Sequence, residues 1–171
     1  MSKYLLVKGT AGLGNRLFAL VTAILYARIV GRTLAVDWRD RYYSSNGKNV
    51  FFDLFELQNT PFTHEIPKSS SIYPKIWQGR LDESISQIIT KDKGLVDTMG
   101  QAVLRKYAYD VRRLNYKEEI RIGTGYNEEI ERLRPSFSDE YVHFKPLSKG
   151  AIFREIFHRH LRLTSDIQER I

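Results

Sequence analysis

Blocks of apolar residues separated by a glycine loop mark the beginning of the chain. Tyr4-Leu5-Leu6-Val7 is an apolar run of strand length, followed by Gly9-Thr10-Ala11-Gly12-Leu13-Gly14-Asn15-Arg16 and then a longer apolar block from Leu17 to Ala27. In that block Leu17, Leu20, Val21, Ile24 and Leu25 recur at the spacing of one helical face, and Phe18, Ala23 and Tyr26 fill much of the other. Such spacing predicts a helix buried on most sides. Asn15 or Gly14 is the expected N-cap. Gly31 is the expected left-handed C-terminal cap, and Arg28 lies in the last turn, where a cation complements the helix dipole. Thr33-Leu34-Ala35-Val36 restarts as a strand that ends at Asp37-Trp38-Arg39-Asp40. The order strand, glycine loop, helix, strand predicts a parallel β-α-β unit whose helix aims its free N–H groups into the loop.

Later segments are less sharply patterned. Asn46-Gly47 is a turn signal, Val50 to Leu57 fits either a strand or a short helix, and Asn59 to Ser71 is read as a surface loop because of Pro61, Pro67 and Ser69-Ser70-Ser71. A strand is expected over Ile72 to Trp77, a helix over Leu81 to Ile89, a short strand over Gly94 to Asp97 and another over Glu119 to Ile122. Gly123-Thr124-Gly125 and a helix capped by Asn127 and closed before Pro135 repeat the strand, glycine turn, helix order. Ala102 to Tyr109 stays ambiguous. From Pro146 a helix is expected, with Ile152, Ile156, Phe157 and Leu161 as its apolar stripe and Arg154, His158, Arg159, His160 and Arg162 on a solvated basic face, continuing as a polar helix through Asp166 and Glu169. His158 and His160 would point about 200° apart on a helix and so cannot share a metal.

Composition narrows the classes. With 171 residues, 42% of them hydrophobic, the chain suits one domain with a packed core. A net charge of +7 favours acidic partners, but the basic residues are scattered and no nucleic-acid module is present, so no nucleic-acid partner is expected. The absence of cysteine removes disulfides, cysteine-held metals and thiol nucleophiles. Leu17 to Ala27 is about half of a membrane span, so no transmembrane segment and a cytoplasmic protein are expected.

Three readings of the glycine loop stay open. It is a tight structural turn; or, with Gly12-Leu13-Gly14 and the strand-final Asp37, it is a dinucleotide fingerprint whose third glycine is replaced by Leu17; or it is a sugar-nucleotide or acceptor site with Asn15 and Arg16 presented at the helix start. No Gly-x-Ser-x-Gly elbow, His-Glu-x-x-His or P-loop lysine occurs.

Gly12-Leu13-Gly14-Asn15-Arg16-Leu17, the alanine-containing helix and Gly31-Arg32-Thr33-Leu34-Ala35-Val36-Asp37-Trp38-Arg39 together resemble the N-terminal domain of the nodulation-type alpha-1,6-fucosyltransferases and, more distantly, the protein O-fucosyltransferases. Scattered positions continue the likeness: Phe52, Leu54-Phe55, Trp77 and Gly123-Thr124-Gly125-Tyr126. The resemblance implies an α/β fold, a Rossmann-like parallel sheet with flanking helices, forming the N-terminal half of a GT-B architecture. Residues 1–171 would be that one domain, with the donor-binding domain expected to be absent from this chain. It further implies GDP-fucose as donor, no metal or other cofactor, and inverting transfer to a glycan acceptor. By the same resemblance Gly12, Leu13, Gly14, Asn15 and Arg16 line the cleft, Asn15 bonding sugar or phosphate and Arg16 offering positive charge. Asp37 meets an acceptor hydroxyl or orders the loop, or simply caps a helix or pairs with Arg39 or Arg16, and Arg39 completes the substrate-binding set. No catalytic residue is assigned. His160-x-Arg162 sits on a predicted helix, so the family's diphosphate-gripping His-x-Arg loop is not carried onto it. The alternatives are a non-catalytic glycan- or nucleotide-binding module and an NAD-dependent enzyme. A homodimer or a partner donor domain would cover the face left open.

Overall fold

The computed structural model describes residues 2–40, 42–94, 101–124 and 129–171. Its centre is a five-stranded parallel sheet in the order β4-β2-β1-β6-β5, built from β1 (Tyr4–Lys8), β2 (Thr33–Asp37), β4 (Phe62–Thr63), β5 (Ile72–Tyr73) and β6 (Ile120–Gly123). A strand's side chains alternate between faces, so β1 sends Leu5 and Val7 into one core and Leu6 into another. Burial on both faces is why β1 and β2 read as continuous apolar runs.

One face is covered by α1 (Leu13–Val30), α5 (Glu129–Leu133) and α6 (Lys149–His160). The other carries α3 (Ile85–Lys93), whose Ile85, Ile88 and Ile89 pack with Trp77, Leu104 and Tyr107. Every residue of α1 from Leu20 to Ala27 is buried, as its two-sided apolar pattern predicts. By length and composition α1 could cross a membrane; in the structure it lies against the sheet and α6, with Phe18 and Phe153 rings 4.5 Å apart. Gly31 caps it in the left-handed conformation (φ 65°), as expected.

Several expectations need correction. The N-cap of α1 is Gly12, so Asn15 and Gly14 lie inside the helix. Val50 to Leu57 holds both alternatives in succession, α2 (Phe51–Leu54) and β3 (Phe55–Leu57). The loop before Ile72 contains the edge strand β4, and the strand at Ile72 stops at Tyr73, giving way to a 3-10 turn, Lys75–Trp77, after Pro74. Pro74 has no N–H to donate to a ladder. The third helix begins at Ile85, because Ser84 and Gln87 close a capping box there. Ala102 to Tyr109 spans the end of α4 (Gln101–Leu104) and a 3-10 turn, Arg105–Tyr107. The C-terminal segment is not one polar helix: β7 (Leu161–Leu163) leaves α6 and pairs antiparallel with β3, and α7 (Ser165–Gln168) follows. His160 is correspondingly buried, with Nδ1 3.1 Å from the Gln58 carbonyl, and does not belong to the solvated face. Burial lowers its pKa. The expected strand at 94–97 and the Asn127 cap fall largely or wholly outside the described residues.

Candidate functional site

In open parallel sheets ligands bind beyond the carboxyl ends of the strands, where the strand order reverses. Here β1 has β2 on one side and β6 on the other, and the chain leaving β1 and β2 passes over that edge. The edge is dense with charge. Lys8 ends β1 and Asp37 ends β2, and the register places them side by side. Lys8 Nζ donates to Asp37 Oδ2 at 2.5 Å, to the Glu83 carbonyl at 3.0 Å and to the Leu81 carbonyl, so each of its three N–H groups has an acceptor. The lysine thereby joins two strand ends to the loop ahead of α3. Asp37 also accepts from Arg39, at 2.8 Å from Nε and 3.0 Å from Nη2, which fixes the guanidinium plane. The remaining Arg39 nitrogen, Nη1, reaches Asp82 at 3.2 Å. Burial alone would raise the Asp37 pKa, but the hydrogen bonds and charges of Arg39 and Lys8 outweigh it and hold the carboxyl below its ordinary value.

A second pair lies beside the first. Arg16, one turn into α1, is 1% exposed. Its Nη1 and Nη2 donate to the two oxygens of Asp40 at 2.6 and 2.8 Å, and its Nε donates to the Ala11 carbonyl at 2.9 Å. Tyr43 covers it, 4.3 Å from ring centre to guanidinium carbon, and Trp38 approaches at 5.4 Å. Bidentate pairing of this kind fixes both side chains. It also explains one glycine: a Cβ on Gly9 would stand 2.3 Å from Arg16 Nη1 and 2.7 Å from Trp38 Cδ1. On Gly12 or Gly14 a Cβ would meet nothing within 4 Å, so these two glycines border open space at the helix start. Ala11 between them and the strand takes a left-handed φ of 56°, which a non-glycine residue adopts only where its surroundings impose it.

The polypeptide after Asp40 is folded onto the same edge. Asp40 accepts from the Tyr42 N–H at 3.1 Å, and Asn49 closes the excursion by accepting from the Trp38 N–H at 2.9 Å and donating to the Val36 carbonyl at 2.5 Å. A shallow groove runs from Arg39, Asp82 and Ser84 to Tyr42, Gln87 and Thr90, the two ends sharing Asp40 and Ser84.

No family model matches the chain, and no curated protein matches its sequence. Solved structures do match it. They include NodZ alpha-1,6-fucosyltransferase soaked with GDP-fucose (TM-score 0.62, 18% identity) and fucosyltransferase NodZ from Bradyrhizobium (TM-score 0.61, 17% identity). A third is NodZ alpha-1,6-fucosyltransferase co-crystallised with GDP (TM-score 0.60, 19% identity). The fold is that of their N-terminal half. Each match covers 99% of this chain and 53 to 54% of the other, so the chain spans about half the length of these solved proteins.

The residues singled out in the sequence fall into two groups at this edge. Gly12, Leu13 and Gly14 form the exposed beginning of α1, with Asn15 half-buried behind them. Arg16, Asp37 and Arg39 sit beneath, committed to ion pairs; Asp37 pairs with Lys8 and Arg39 and not with Arg16. Sequence reasoning missed Lys8, Gly9, Asp40 and Asn49. Lys8 was legible in principle, since a charge at the last position of β1 must face the last position of a parallel β2. The Arg16–Asp40 pair was not, because it spans 24 positions and depends on how the chain turns after β2.

Proposed function

We propose that this chain is the acceptor-side half of a fucosyltransferase-like enzyme that moves fucose from GDP-fucose to a glycan with inversion at the anomeric carbon, the donor being gripped by a further domain. The observation that carries the reading is the superposition of nearly the whole chain on a fucosyltransferase structure soaked with GDP-fucose. Two features support it. The open helix start at Gly12, Leu13 and Gly14 lies at the edge where α/β folds bind their substrates, and the ion pairs beneath it hold that edge rigid, as a positioned acceptor hydroxyl requires. On this reading Asn15 and the backbone of Gly12 to Gly14 contact substrate. Arg16, Asp37 and Arg39 support them, with Arg39 alone of the three exposed enough to be touched. The protein acts in the cytoplasm, without a metal, and either a second domain or a partner chain completes the site.

The test is a transfer assay on the protein isolated from its native source, with GDP-fucose and mixed glycans in the presence of a chelator, the product anomer being read by NMR. Inverted fucosyl product, with thermal stabilisation by GDP-fucose and none by NAD(H), is the expected result. No transfer and no stabilisation by GDP-fucose would sink the proposal, and stabilisation by NAD(H) would install the dinucleotide reading instead.

A further inference from the structure

Asn46 and Gly47 form the exposed tip of the excursion that begins at Asp40 and closes at Asn49, and neither has a part in the transferase reading. Gly47 takes a left-handed φ of 75°, as the turn requires. The Asn46 side chain folds over the residue that follows it. Its Oδ1 accepts from the Lys48 N–H at 3.1 Å, which closes a ring around the Gly47 nitrogen, and from the Ser44 hydroxyl at 3.2 Å. Ser44 is itself buried, and its N–H donates to the Asp40 carbonyl at 3.0 Å. Two donors therefore converge on one amide oxygen. The Asn46 Nδ2 group and the Gly47 N–H, by contrast, have no hydrogen-bond acceptor among the described residues.

One reaction needs all of these features. A main-chain nitrogen attacks a side-chain carbonyl carbon only where it is uncommitted and unshielded, and glycine leaves its nitrogen least shielded. Holding the two groups together lowers the entropic part of the barrier. Donors already aimed at the carbonyl oxygen stabilise the negative charge that develops on it. The amide nitrogen must be free to leave, and water must reach the product. We infer that Asn46-Gly47 is a self-modification site, at which the Gly47 nitrogen displaces ammonia from Asn46 and leaves aspartate or isoaspartate at position 46. In the first step the bond from the Gly47 nitrogen to Asn46 Cγ forms and the Cγ–Nδ2 bond breaks. The proton of the Gly47 N–H departs with the amide as ammonia, and a cyclic succinimide remains. Solvent water then opens the ring. Cleavage at Cγ gives aspartate, and cleavage at the Asn46 main-chain carbonyl carbon gives isoaspartate, which lengthens the main chain between the anchors at Asp40 and Asn49. Either product adds a negative charge to the loop.

Two other asparagines show what protection looks like. Asn49 Nδ2 donates to the Val36 carbonyl and its Oδ1 accepts from the Trp38 N–H, while Val50 follows it with a branched side chain. Asn59 Nδ2 donates to the Arg159 carbonyl at 3.0 Å. In both the leaving group is held.

The experiment incubates the folded chain and a synthetic peptide of residues 42–50 side by side at neutral pH. Trypsin releases residues 42–48 from each, and mass spectrometry follows the gain of amide-to-acid conversion, with electron-transfer fragmentation separating aspartate from isoaspartate. The folded chain is expected to convert at least as fast as the peptide and to give both products, while Asn49 and Asn59 stay amides. Gly47→Ala should slow conversion about tenfold or more by shielding the nitrogen. Ser44→Ala should slow the folded chain about threefold or more, through loss of one donor to the oxyanion, and leave the peptide's rate unchanged. Circular dichroism checks that both variants fold. A folded chain that converts more slowly than the peptide, an Asn46 that stays an amide throughout, or a folded Ser44→Ala protein that converts at the original rate would overturn the assignment. Each of these outcomes is independent of whether the protein transfers fucose.

Discussion

At the C-terminal ends of β1 and β2 the buried cations Lys8 and Arg16 each meet a carboxylate, whereas Arg32 and Arg121, equally buried toward the other end of the sheet, make no ion pair among the described residues. Arg32 donates instead to four carbonyls, those of Tyr4, Tyr116, Glu118 and Glu119, at 2.7 to 3.2 Å. Arg121 donates to the Leu114 and Tyr116 carbonyls at 3.1 and 2.9 Å and to the Tyr26 hydroxyl, with the Tyr116 ring 4.4 Å away. Burial, with help from Arg121, pushes the Arg32 pKa down to about 10, and burial pushes the Tyr26 phenol up to about 12. The contrast teaches what each end is for. Carbonyl-solvated arginines bind stretches of backbone and act as brackets that hold residues 114–119 to the sheet. Carboxylate-paired cations hold other side chains in fixed planes, which is what a recognition surface needs.

The sharpest way to break this comparison is to remove a carboxylate. Asp40→Ala leaves Arg16 buried and unpaired and should cost about 3–5 kcal/mol in denaturant unfolding; a loss below about 1 kcal/mol would mean that Arg16 is held by its rings and the Ala11 carbonyl alone. At the opposite end, Arg32→Met strips donors from four carbonyls but also relieves a buried charge, so a smaller loss of about 2 kcal/mol is expected in the same measurement. Gly9→Ala should cost about 1–3 kcal/mol through the clash with Arg16 and Trp38. Gly14→Ala, with open space around it, should change stability by no more than about 0.5 kcal/mol. That makes Gly14→Ala the cleaner probe of ligand contact at the helix start. The smallest effect is local and acidic. Asp37 titrates below its ordinary value of 3.8, so the stability it supplies is complete above that pH and disappears as pH falls through the lower, folded value. Hydrogen exchange in that window should rise at residues 8–9 and 37–39 while residues 114–121 stay protected. Equal exposure of both ends would erase the distinction.

The fold was legible where pattern is local and repeated. The β1-α1-β2 unit follows from two apolar runs and a helical spacing between them, and both strands pair in parallel as read. Short edge strands were not legible: β4 has two residues and β7 three, and each is fixed by a distant partner. His160 shows why composition misleads on a helix end. Among Arg154, His158, Arg159 and Arg162 it reads as one more solvated cation, yet β7 turns the chain back toward β3 and carries it inside. At the candidate site the exposed helix start was visible as a glycine loop. The role of its glycines was not: Gly9, outside the resemblance, is the one that steric contact requires, because the large side chain it accommodates arrives from α1.

The antiparallel pairing of β3 with β7 joins Phe55–Leu57 to Leu161–Leu163 across more than half of the polypeptide. All five strands of the main sheet come from residues up to Gly123, so a growing chain can assemble that sheet while Phe18 and Phe55 still lack the α6 aromatics they meet at the end, Phe153 and Phe157. During synthesis the protein therefore passes through a stage with a finished sheet and an uncovered aromatic flank, the kind of surface on which nascent chains stick to one another or engage chaperones. Only when residues 149–163 leave the ribosome does that flank close.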